Sequence, residues 1–84
     1  MRLVWDESKR LANLEKHGID LTDSDRFDSP GARVVPARGR RKKAIGQLDD
    51  DLFAVIFAPL GTEAISVISM RRASRTERRL HDDR

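Results

Sequence analysis

The chain has no cysteine, so neither a disulfide framework nor a thiolate metal site is open to it. Its only histidines are His17 and His81, with no H-x-x-x-H spacing, which leaves metal ligation without a donor set. No apolar run approaches the roughly 20 residues that a membrane-spanning helix needs. Met1 to Trp5 runs directly into charged residues instead of an apolar leader, which predicts a cytoplasmic protein. Gly39 and Gly46 make no phosphate loop, because no Gly-Lys-Ser/Thr triplet opens a helix. Helix-turn-helix spacing is missing too, which argues against a DNA-binding regulator acting alone.

Charge is what the chain has in quantity. With 84 residues, 38% hydrophobic and 37% charged, it makes one domain spanning residues 1–84 around a modest core. The net charge of +3 hides an asymmetry. Residues 1–32 carry five Lys/Arg against seven Asp/Glu, and residues 33–84 carry twelve against seven. A basic C-terminal portion fits either a polyanion-facing side or a merely solvated surface.

Residues 2–5 are compatible with a short first strand. Asp6 is a good N-cap, with Glu7 in the first turn of a helix through Lys16 and Gly18 as its left-handed terminator. Ala12 and Leu14, with Leu11 alongside, form a narrow apolar stripe, while Lys9, Asn13, Lys16 and His17 share a polar face. A short helix from Thr22, anchored by Leu21 and Phe27, precedes the turn Ser29-Pro30-Gly31. From Arg33 the period becomes two. Strands are predicted over 33–37, 41–48, 52–58 and 62–70, joined by hairpin-sized links. Ile65, Val67 and Ile68 suit a strand sheltered on both faces. Ser74 and Glu77 have capping-box spacing for a last helix from Ser74 to His81. The fold class is α+β: N-terminal helices, a four-stranded antiparallel meander with a short additional first strand, and a C-terminal helix.

The chemistry best matched by these residues is RNA cleavage without metal. It needs a base for the 2′-hydroxyl proton, an acid for the leaving 5′-oxygen, and cations around the phosphorus. His17, Glu77, Lys9, Lys16 and the arginines fill those roles if the helix ends meet over the sheet. Each has a plainer alternative. His17 suits the negative end of a helix, and Glu77 a capping role. Arg71 and Arg72 suit guanidinium anchoring by backbone carbonyls. The run Arg38, Arg40, Arg41, Lys42 and Lys43 suits a solvated cluster, although Arg41 can share a face with Lys43. Ser66 and Ser69 read as small polar residues in a tight sheet, and Trp5 as core.

The stretches W-D-E-S-K-R-L-A-N-L-E-K-H-G (5–18) and I-S-V-I-S-M-R-R-A-S-R-T-E-R-R (65–79), with A-I-G at 44–46 between them, closely resemble the BrnT-type toxins of bacterial toxin–antitoxin modules. The resemblance covers nearly the whole chain. It implies a RelE-like fold and a ribonuclease that needs neither metal nor cofactor and arrests translation. It also implies neutralisation by a BrnA-type antitoxin, which contacts operator DNA on the toxin's behalf, in a dimeric or heterotetrameric assembly. The matching positions are Trp5, Lys9, Asn13, Lys16, His17, Arg41, Ser69, Arg71, Ala73 and Glu77. Relatives often carry Arg where Ser66 stands, Tyr where Phe57 stands, and an aromatic near His81.

On that likeness, Arg71 and Arg41 hold the scissile phosphate, Glu77 or His17 is the base, and Lys9 or His81 assists the leaving group. Lys16, Lys43, Arg72, Arg75 and His81 complete the RNA contacts. The alternative is a non-catalytic domain of the same descent that binds RNA or a partner protein.

Overall fold

Asp6 opens the first helix as read: its carboxylate accepts the Ser8 backbone N–H at 2.8 Å. Gly18 closes it with φ of 70°, donating its N–H to the Leu14 carbonyl at 2.8 Å. In the computed structural model, which describes residues 2–83, the elements are β1 (Arg2–Val4), α1 (Glu7–His17), a 3-10 helix (Leu21–Arg26), β2 (Arg33–Pro36), β3 (Lys42–Leu48), β4 (Asp51–Leu60), β5 (Ala64–Arg72) and α2 (Arg75–Asp82). The segment after α1 tightens to 3-10 geometry because Asp20 and Ser24 bond to nearby backbone, Ser24 Oγ donating to the Leu21 carbonyl at 2.7 Å.

The sheet has five strands in the order β1-β5-β4-β3-β2 and is mixed: the short first strand read from the sequence joins it as a fifth member, which corrects the four-stranded, wholly antiparallel sheet expected there. The neighbouring pairs from β2 to β5 are antiparallel. β1 lies parallel to β5, with Arg2 opposite Ala64 and Val4 opposite Ser66. Periodicity marks a strand but does not choose its neighbour.

One face of the sheet carries the core. Leu48, Phe53, Val55, Val67 and Met70 meet Leu21, with Leu3, Trp5, Ile19 and Phe27 packed around them. Gly46 sits beneath Phe27 because a Cβ there would fall 2.7 Å from that ring. The opposite face carries α2 over Ile45 and Ala54, both fully buried, next to Lys43 and Arg71.

Two sequence expectations are corrected. The apolar stripe of α1 does not pack inward: Leu11 is 52% and Leu14 40% exposed, Ala12 is exposed, and the buried residue of α1 is Asn13. β5 is also not a regular two-sided strand. Ile56 faces Ser69 whereas Phe57 faces Val67, so Ile68 is the extra residue of a bulge. The bulge turns both Val67 and Met70 into the core and leaves Ile68 and Ser69 on the other side.

Candidate functional site

Where β1 ends, the outer edge of β5 has backbone groups still to satisfy. The side-chain amide of Asn13 takes that place. Its Oδ1 accepts the Met70 N–H at 3.0 Å, and its Nδ2 donates to the Met70 carbonyl at 3.0 Å, as a neighbouring strand would. Nδ2 also donates to the Ile19 carbonyl at 2.8 Å, and Oδ1 accepts the Ser69 hydroxyl at 3.1 Å. Asn13 is 5% exposed, so the middle of α1 is joined to the sheet by a polar group.

That junction lays one flank of α1 along the bulged strand. Lys9, Ala12, Asn13, Lys16 and His17 from α1, Ile68 and Ser69 from β5, and Arg41 from the turn before β3 line a concavity of about 250 Å³. Lys9, Lys16 and Arg41 are exposed, and none of them forms an ion pair among the described residues. His17 is half-buried. Three uncompensated cations, an imidazole, an amide and a hydroxyl around one hollow make an anion-receptive site.

A second cluster lies on the same side of the sheet. Lys43 is opposite Ile56, and Ile56 opposite Ser69, which ties the cluster's position to the hollow. Glu77, 4% exposed, receives Arg71 through two parallel bonds, Nη1 to Oε1 at 2.6 Å and Nη2 to Oε2 at 2.9 Å. Lys43 Nζ donates to Oε2 at 2.7 Å. The Ser74 N–H donates to Oε1 at 2.8 Å, and the Glu77 N–H donates back to Ser74 Oγ at 3.2 Å, completing the capping box. The Arg71 fork, then Lys43 and the Ser74 amide, hold this carboxyl well below the usual range against the opposing effect of burial. Glu77 in turn raises Arg71. A carboxylate so occupied is a poor proton acceptor, so the base role read for Glu77 is not what this geometry favours. Arg71 and Lys43 are anchored to it and do not line the hollow.

The remaining sequence candidates lie elsewhere. Arg72 pairs with Asp51 and stacks 5.5 Å from the centre of the Phe53 ring, on the core side of the sheet. Arg78 donates to the same carboxylate at 2.8 Å; with the Leu52 amide and Arg72, it holds Asp51 down at about 2. Arg75 is exposed on the first turn of α2. His81, at the far end of α2, approaches the Gly31 carbonyl at 3.2 Å, near the start of β2. It is therefore not a partner for Lys9 at the hollow, because α2 crosses the sheet away from α1. Phe57 lines an apolar groove of about 430 Å³ on the core side, with Leu3, Phe27 and Val34. Sequence reading gave Ser69 no site role, because its link to the site is the long-range bond to Asn13 of α1, a contact that local spacing does not contain.

The family model for the type II toxin–antitoxin ribonuclease toxin BrnT matches residues 5–77, the span from Trp5 through Glu77 that contains both clusters. The crystal structure of the Brucella abortus ribonuclease toxin BrnT superposes with a TM-score of 0.77 at 47% identity, covering 89% of this chain and 99% of that one. No curated protein sequence matches the chain. The family match over most of its length, with the structural likeness beside it, shows that the chain belongs to the BrnT family of ribonuclease toxins of type II toxin–antitoxin systems.

Proposed function

We propose that the chain is a single-domain, metal-independent endoribonuclease of the cytoplasm that arrests translation and is silenced by a BrnA-type antitoxin. The observation that carries this proposal is the hollow where Lys9, Lys16, His17 and Arg41 converge beside Ser69. Arg41 presents a planar fork suited to phosphate oxygens, and Lys16 adds a second positive charge. His17 takes the proton from a ribose 2′-hydroxyl, and the freed oxygen attacks phosphorus. The bond to the 5′-oxygen breaks as Lys9 gives that oxygen a proton, leaving a 2′,3′-cyclic phosphate and a 5′-hydroxyl. The Glu77 cluster holds Arg71 and Lys43 near the path of the strand and takes no proton.

A surface this cationic calls for an acidic or amphipathic segment to cover it, which fits a tight antitoxin complex, dimeric or heterotetrameric, that reaches operator DNA only through the antitoxin. Among the described residues no helix is long and apolar enough to cross a membrane.

Total RNA incubated with the purified protein and a chelator yields fragments with 2′,3′-cyclic phosphate ends, and Arg41→Ala slows cleavage by about 10²-fold. RNA left whole overturns the proposal. A gel shift without fragments identifies a binding domain instead.

A further inference from the structure

We propose that Asn13 is the positioning residue of this site: its side-chain amide, paired with both backbone groups of Met70, sets where α1 presents Lys9 and His17 to Arg41. The proposal rests on the ribonuclease reading above and adds what holds that site in register.

The exposure pattern of α1 carries the inference. A helix normally takes its position from an apolar face pressed into the core. In α1 the apolar residues point outward: Leu11 and Leu14 are exposed, and Asn13 is the buried residue. The ends of the helix are tethered by apolar neighbours, Trp5 before it and Ile19 after it, both packed against the core. Those tethers leave rotation and sliding of the middle turn to be fixed by something directional. The amide supplies this, since its oxygen and nitrogen pair with the N–H and carbonyl of one residue, each at 3.0 Å.

Position along the helix makes the effect specific. Lys9 and His17 each lie four residues from Asn13, one turn to either side, on the flank that faces the hollow. A rotation or slide about Asn13 therefore displaces both from Arg41 together. Ser69, which donates to the same oxygen, lines the hollow as well, so one atom connects the helix wall to the strand wall. Among the described residues no buried side-chain polar atom lacks a partner, and Asn13 uses both ends of its amide in reaching that state.

Asn13→Gln and Asn13→Asp test this with a readout that fold alone does not move. Gln keeps donor and acceptor but reaches about 1.5 Å further. Asp keeps the acceptor and loses the donor to Met70 and Ile19. Each variant is assayed on a defined RNA oligonucleotide at a temperature where circular dichroism shows it fully folded. The expected result is kcat lower by roughly 30- to 100-fold with KM within about threefold, because a displacement of about 1 Å costs that much in a positioned reaction. Leu11→Gln, on the outer flank of the same helix, keeps wild-type kcat. Fully folded Asn13→Gln with wild-type kcat overturns the proposal. Absence of cleavage by the unmodified protein defeats the ribonuclease reading first, and this inference falls with it.

Discussion

At the scale of single residues, the same side chain changes meaning with its partners. Glu77 has the chemistry of a general base, yet four donated bonds from Arg71, Lys43 and Ser74 fix it as an ionised anchor. Folding therefore favours its charged form, and the unfolded chain binds the extra proton. The sign follows: this stabilisation is complete above about pH 5 and is lost as pH falls below the ordinary glutamate value. Glu77→Gln is expected to cost about 2–3 kcal/mol at neutral pH by leaving Arg71 and Lys43 without their counter-charge. It should also flatten the acid side of the melting-temperature profile. Differential scanning calorimetry from pH 3 to 7 measures both; an unchanged acid slope in the variant contradicts the anchor role.

Among the elements, β5 decides the site more than any helix does. Its bulge at Ile68 lets Val67 and Met70 share the core while Ser69 turns to Asn13. Deleting Ile68 leaves Phe57 opposite Val67 and Ile56 opposite Ser69, a regular ladder with the same core residues inside. The deletion variant is expected to fold cooperatively, but with Ile68 gone from the strand wall of the hollow and the strand beside α1 shifted, its cleavage rate falls by about 10²-fold. Thermal melts followed at far-ultraviolet wavelengths and a fragment assay on the same sample check the two halves of this expectation. A deletion variant that cleaves at the normal rate shows that the bulge serves only packing.

Across the whole molecule, the two faces of the sheet divide the labour. The apolar face closes against the 3-10 helix, and the other holds cations in two states, neutralised around Glu77 and uncompensated around the hollow. Three phosphates neutralised by Lys9, Lys16 and Arg41 give a log–log salt slope of about −2 for single-stranded RNA, and Arg41→Ala reduces its magnitude by about 0.7. Fluorescence anisotropy with a non-cleavable RNA between 50 and 300 mM salt, roughly the range where such release is measurable, reads this slope directly. An identical slope in the variant removes Arg41 from the phosphate contacts.

What the sequence determined by itself is local. Asp6 and Gly18 bracket α1, Ser74 and Glu77 cap α2, and alternation marks the strands, because each signal acts over a turn or a few residues. Lys9, Lys16 and His17 on one helical flank were legible for the same reason, and Arg41 entered through the family likeness. Only the tertiary structure decided the parallel pairing of β1, the bulge at Ile68 and the burial of Asn13 in place of Leu11 and Leu14. It also sent His81 to Gly31 and Arg72 to Asp51, away from the hollow. These outcomes depend on which distant backbone groups need partners, and a chain read residue by residue does not contain that information until its edges meet.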